Sequence, residues 1–148
     1  MRYWLYKNNR AVGGPSGYWG DWYDGVFSQN KTVEWGGHHS TRSREVAAKL
    51  NEDVSVGDVV VAYQTDENAV VGFARITRIT GGVDDRRLHL KPLHYLAQPF
   101  EIHKHKKGTP LENSPAVNGP VMLRELTKEQ MATLVDLAGA PTSVIRGK

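Results

Sequence analysis

Cysteine is absent from the 148 residues. That absence removes disulfides, thiol nucleophiles and every cysteine-bearing zinc or iron–sulfur site, so a metal would have to rest on His and carboxylates alone. His38-His39 and His103-Lys104-His105 lack the spacing of a structural site, no acidic cluster completes either set, and the second lies among lysines that repel a cation. Neither a metal nor a cofactor is expected. The phosphate-cradling pattern G-x-x-x-x-G-K-[ST] and the nucleophile elbow G-x-S-x-G are also missing, so no motif announces an enzyme. No apolar run approaches the roughly 18 residues of a membrane span. Met1-Arg2-Tyr3-Trp4-Leu5-Tyr6 enters a strand-like run without a charged leader or a cleavage site, so a cytoplasmic protein with no membrane attachment is expected. The length suits a single domain over 1–148.

What is present is unevenly distributed. Residues 1–50 hold 7 basic and 4 acidic side chains, 51–85 hold 2 and 7, and 86–148 hold 10 and 5. Both ends are basic around an acidic middle, as a phosphate-contacting face built from the two ends would require; solvated surface charge gives the same count. Nine of the 13 aromatic residues, including all four Trp, lie in the first 35 positions, in a stretch rich in glycine. Flat rings in glycine-containing loops can stack on a base or enclose a methylated group. Trp4, on a strand, reads as core. Trp35, followed by Gly36-Gly37, reads as a pocket wall, and Trp19 and Trp22 fit either role.

Coarse periodicity predicts a strand over 2–7 that stops at Asn8-Asn9, then a long loop region to Gly37. A short helix capped by Ser43 follows. Val59 to Gln64 and Ala69 to Thr80 form a hairpin of two strands. A strand over 87–91 is confined by Pro92 to an edge or a bulge, and 104–118 reads as an exposed loop. A last strand over 121–126 leads into a helix with Thr127 and Gln130 as capping box and Gly139 as stop. Five or six strands with few helices predict an α+β domain around a small curved or closed sheet.

Six segments in this order resemble EVE domains of the PUA-like superfamily, to which the YTH readers also belong. They are Tyr3-Trp4-Leu5-Tyr6-Lys7, Glu34-Trp35-Gly36-Gly37, Val56 to Tyr63, Val70 to Ile76, Arg87 to Leu93 and Val121 to Gly139. The resemblance implies a β pseudo-barrel with short flanking helices whose pocket receives an extruded base. The implied partner is DNA bearing 5-methylcytosine, 5-hydroxymethylcytosine or N6-methyladenine, with RNA as the second candidate. By similarity to YTH readers, Asn9, with Asn8 as its competitor, would hydrogen-bond the base edge and Lys7 would meet the backbone. Trp35 and Gly36 would form one wall. Where many relatives carry a second Trp this chain has Arg86-Arg87, so Trp19, Trp22 and Tyr23 are the candidates to fill in. Arg42, Arg86, Arg87, Lys104, Lys106 and Lys107 are further candidates for phosphate contacts. Such domains resemble specificity modules of modification-dependent restriction systems, which implies a separate nuclease or nucleotide hydrolase. The related ASCH type implies a different function, hydrolysis of modified pyrimidine nucleosides, with Lys7 and Glu34 in the active roles. A general RNA-binding domain is a third reading.

Overall fold

The computed structural model describes residues 1–10, 18–35, 53–81, 86–119 and 121–148, with the backbone alone for Tyr18 and Trp19. The helix expected from Ser43 and the residues Gly36, Gly37, His38, His39 and Arg42 lie outside these.

Among the described residues seven strands form one mixed sheet: β1 (Tyr3–Asn9), β2 (Tyr18–Trp19), β3 (Val33–Trp35), β4 (Val59–Gln64), β5 (Ala69–Thr80), β6 (Arg87–Phe100) and β7 (Leu123–Leu126). Its order is β2-β1-β4-β5-β6-β3, with β7 also on β1. Among the described residues four helices accompany it: α1 (Trp22–Gly25), α2 (Ile102–His105), α3 (Pro115–Asn118) and α4 (Lys128–Ala138). This is the expected α+β pseudo-barrel, and among the described residues its backbone ladder does not close. β1 and β4 run parallel, which demands a long crossover, and the connection from Arg10 to Asp58 carries α1 and β3 on the way.

Alternation along the strands divides the core in two. Tyr3 and Leu5 on β1, with Val59, Val61 and Tyr63 on β4, face a cluster completed by Ile102, Leu111, Val117, Met131 and Leu134 from the helical segments. Trp4 and Tyr6, with Val60 and Ala62, face the other cluster, which contains Trp22, Ile76, Leu88 and Leu90 and is flanked by Val33 and Trp35 of β3. Trp35 of β3, at the far end of the sheet path, reaches Asn8 of β1 on this second side, so the sheet curls round it and that side is concave. Trp4 is core as expected, 1% exposed, and its indole N–H donates to Asp58 Oδ2 at 3.0 Å.

Three expectations are revised. β6 does not end at Lys91 but passes through Pro92 to Phe100; a register shift between the Phe73–His94 and Ala74–Pro92 pairs makes the bulge that Pro92 was expected to require. The span 104–118 is not simply an exposed loop, for α3 is capped by the buried Ser114 and buries Ala116 and Val117. The stretch between Arg10 and Gly37 also carries regular elements, α1 and β3 among them. The closing helix has both halves of its capping box, and Gly139 at φ +72° supplies the turn that ends it.

Candidate nucleic-acid interface

The concave cluster ends in polar and aromatic side chains contributed by three elements. Continuing the alternation of Trp4 and Tyr6 places Asn8 on the concave side, 1% exposed, and its Oδ1 accepts the indole N–H of Trp35 at 3.3 Å. Asn9 is half-buried and lies next along the strand, on the opposite side by the same alternation. The structure therefore gathers Asn8, not Asn9, with Trp35. The indole of Trp35 stacks on that of Trp22, with ring centroids 4.7 Å apart and planes inclined by 27°. Trp22 is fully buried, and its own N–H donates to the carbonyl of Tyr63 at 3.2 Å. The two tryptophans thus touch and leave no room for a base between them, so only the face of Trp35 turned away from Trp22 remains for stacking.

Two glycines make this arrangement possible. A Cβ at Gly25 would lie 2.2 Å from Trp35 Cζ3, and one at Gly20 would lie 2.9 Å from both Trp35 Cζ2 and Asn8 Nδ2. The sequence drew attention to Gly36-Gly37 beside Trp35; the glycines that shape its seat are 10 and 15 positions earlier. Gln64, fully buried, joins the same elements: its Oε1 accepts the N–H of Trp22 at 3.0 Å and its Nε2 donates to the carbonyl of Gly20 at 3.0 Å and to Asp66 Oδ1 at 2.7 Å.

Arg10, which sequence reasoning missed, holds the rim together. It bonds Asp21 at 2.9 Å, Asp66 at 2.7 Å and Glu67 at 3.0 Å, and its guanidinium lies 5.0 Å from the Tyr23 ring centroid. Tyr23 lines a cleft of about 240 Å³ with Asp24, Phe27, Ser28 and Tyr95, apart from the buried Trp22. Burial and the charge of Glu67 push the Tyr23 hydroxyl up to about 12. The signal for this rim was the Asp66-Glu67 turn, whose partner is distant in sequence.

The cationic candidates separate. Lys7 is buried, 6% exposed, and its ammonium donates to the carbonyls of Gly119 at 2.8 Å and Val117 at 3.4 Å. Contrary to a side chain open to phosphate, it is spent inside the fold. Arg87 bonds Glu34 across the β3–β6 pair at 2.7 Å, both half-exposed, and Arg86 is half-buried. Lys104 pairs with Glu101 at 2.9 Å, Lys106 donates to Asn118, and Lys107 is exposed. Neither Trp19's side chain nor Gly36 and Arg42 are among the described parts. No group of three or more His, Asp or Glu among the described residues is placed to hold a metal, and none of the described helices is long and apolar enough to cross a membrane.

Burial lowers the pKa of Lys7 from 10.5 and pushes the Tyr63 hydroxyl, whose ring lies 5.8 Å from the Lys7 nitrogen, up to about 12. The two shifts act in opposite directions. Between the lowered Lys7 value and 10.5 the unfolded chain binds more protons, so stability rises with pH; above about 10 the unfolded tyrosine loses its proton first, so stability falls. Lys7→Met should abolish the alkaline rise and leave the fall, measured by denaturant unfolding between pH 7 and 11. An unchanged profile would mean that the ammonium is not held inside.

No protein-family model and no curated protein sequence matches the chain. Solved structures do. A protein of Agrobacterium tumefaciens superposes with a TM-score of 0.69 at 19% identity, over 95% of this chain and 94% of that one. One of Rhodopseudomonas palustris gives 0.68 at 20% identity, over 94% of each. Human THYN1, in complex with DNA containing 5-methylcytosine, gives 0.68 at 15% identity over 95% of this chain and 99% of that one. The DUF55 domain of human thymocyte nuclear protein 1 gives 0.65 at 16% identity, over 92% and 98%. The superpositions cover nearly the whole length of each chain, and the chain has the fold of these structures, the α+β pseudo-barrel of EVE-type, PUA-like domains.

Proposed function

We propose that this domain is a non-catalytic reader that binds DNA carrying a modified base, 5-methylcytosine foremost, by receiving the flipped base at the Asn8–Trp35 end of the concave cluster. One observation carries the reading: a half-buried indole, seated on a buried one, is joined to a buried carboxamide at the end of the barrel. An indole face supplies sequence-tolerant stacking, and a carboxamide can both donate and accept against a base edge. The DNA complex of human THYN1, which shares the fold, supports the choice of ligand. The hydrolase reading needs Lys7 and Glu34 together, whereas Lys7 donates to the carbonyls of α3 and its following turn, and Glu34 pairs with Arg87. In a cell such a reader acts in the cytoplasm as specificity module for a nuclease carried elsewhere, as in modification-dependent restriction.

The test is binding to short duplexes with one 5-methylcytosine, 5-hydroxymethylcytosine or N6-methyladenine, beside unmodified DNA and matching RNA. A preference of tenfold or more for one modified duplex is expected; equal binding to all would sink the reading. In the same assay Asn8→Ala should lower the modified-to-unmodified affinity ratio several-fold and Asn9→Ala should leave it nearly unchanged. The reverse order would place Asn9 at the base edge.

Affinity should also fall with salt, since cationic side chains release counterions from phosphates. Replacing Lys104, Lys106 and Lys107 by Gln should reduce the log–log salt slope by up to about three while keeping base preference. An unaltered slope would assign these lysines to solvated surface.

A further inference from the structure

We propose that a cavity at the opposite end of β1 from Asn8 binds a phosphate-bearing anion. The cavity measures about 460 Å³, and its lining includes Arg2, Asp53, Asp58, Arg75, Arg146 and Lys148. The basic ends of the sequence meet here. Arg2 precedes β1, whose first residue Tyr3 pairs with Val59, which in turn pairs with Arg75. The C-terminal turn is tied to the same place, for the hydroxyl of Tyr3 donates to the carbonyl of Ile145 at 2.6 Å. Gly147, at φ +72°, lies beside the Arg75 stem: a Cβ there would be 3.5 Å from Arg75 Cδ.

The charges do not balance. Of the two carboxylates, Asp58 is engaged by three N–H donors, the backbone of Arg2 and of Ser55 at 2.9 Å each and the indole of Trp4 at 3.0 Å. Asp53 remains against four cationic side chains. Among the described residues none of the four is ion-paired, and the Arg2 guanidinium donates to a carbonyl, that of Asp53, at 3.4 Å. Like charges gathered around one concavity raise the local potential and draw in an anion. Three guanidinium forks suit the several oxygens of a phosphate group, which each can take in a bidentate way. From Arg2 to Asn8 the strand spans about 20 Å at its usual rise, so one nucleotide cannot fill both ends. The inference therefore stands apart from the reading of Trp35.

The phosphate could belong to a small anion or to a nucleic-acid backbone, and the experiment separates them. The intact chain is titrated with inorganic phosphate, pyrophosphate, a nucleoside triphosphate and an unmodified DNA duplex, followed by calorimetry and by the NMR signals of the arginine Nε–H groups. The expected result is saturable binding of at least one probe that shifts Arg2, Arg75 and Arg146 and weakens tenfold or more in Arg75→Gln/Arg146→Gln. Lys31→Gln/Lys128→Gln, an equal loss of charge at exposed positions elsewhere, should change it less than twofold. Binding of the small anions identifies a free phosphate compound; binding of the duplex alone identifies a backbone. No shift at these arginines with any probe, or equal weakening in both double variants, would overturn the proposal. All four positions are exposed, and circular dichroism of the variants checks that they fold.

Discussion

Replacing Trp35 by alanine should bring the affinities for modified and unmodified DNA together. Stacking of a base on an aromatic ring is worth ~1–3 kcal/mol, enough to erase a preference of tenfold or more. The same change strips the cover from Trp22 and leaves the Asn8 carboxamide without its indole donor, so the variant should also be less stable, by about 1–3 kcal/mol for a half-buried ring. Trp35→Phe separates the two effects, because it keeps an aromatic face and loses the N–H. It should retain part of the discrimination. Duplex titrations on both variants, with unfolding curves alongside, check the expectation; full discrimination in Trp35→Ala would make the residue core alone.

Gly25→Ala should be at least as damaging although it touches no ligand. A methyl group 2.2 Å from Trp35 Cζ3 cannot be accommodated without moving the ring, and the last turn of α1 is pinned from below by the fully buried Trp22. Trp35 must therefore leave its stacked position. Overpacking of this kind costs about 1–3 kcal/mol, and discrimination should fall as far as in Trp35→Ala. The near-ultraviolet circular dichroism of the two indoles gives an independent readout, since their coupling depends on the 4.7 Å stack. A variant with an unchanged spectrum and unchanged discrimination would mean that α1 yields instead of the indole. Double substitution with Trp35→Ala should relieve the clash, so that Gly25→Ala adds little in that background.

The hairpin of β4 and β5 was readable to the residue, because a run of Val59-Val60-Val61 and a second β-rich run flank a polar turn at Thr65 to Asn68. The closing helix was equally legible from Thr127, Gln130 and Gly139, whose roles are local. The extent of β6 was not, since Pro92 argues against a strand unless a bulge relieves its missing donor, and a bulge leaves no mark of its own in composition. Alternation established that only one of Asn8 and Asn9 could face the pocket. Which one depends on whether Trp4 or Tyr3 faces the concave side, and both are aromatic and buried. The stack of Trp22 on Trp35, the glycines that seat it and the bonds from Arg10 to Asp66 and Glu67 join residues far apart in the chain. No pattern along the sequence encodes such pairs. The helices inside 102–118 were too short for periodicity to register.

Among the described residues the sheet's path ends without a ladder joining β3 to β1, and side chains span that gap. A seam fastened in this way behaves as a latch. Opening it would give up one hydrogen bond of 3.3 Å, one ring contact and the packing of Val33 and Trp35 on the second cluster, while every backbone bond between β1 and β4 stays in place. The bond and the ring pair contribute about 0.5–1.5 kcal/mol each, and the packing of Val33 and Trp35 adds to them. Of the groups that fasten the seam, the proposed reading gives the base the Asn8 carboxamide and the outer face of Trp35, and leaves the Trp22 stack in place. On the proposed reading, a base arriving on the face of Trp35 turned away from Trp22 would have only the 3.3 Å bond to exchange for its own, so that a guest could be admitted without loosening the core behind it.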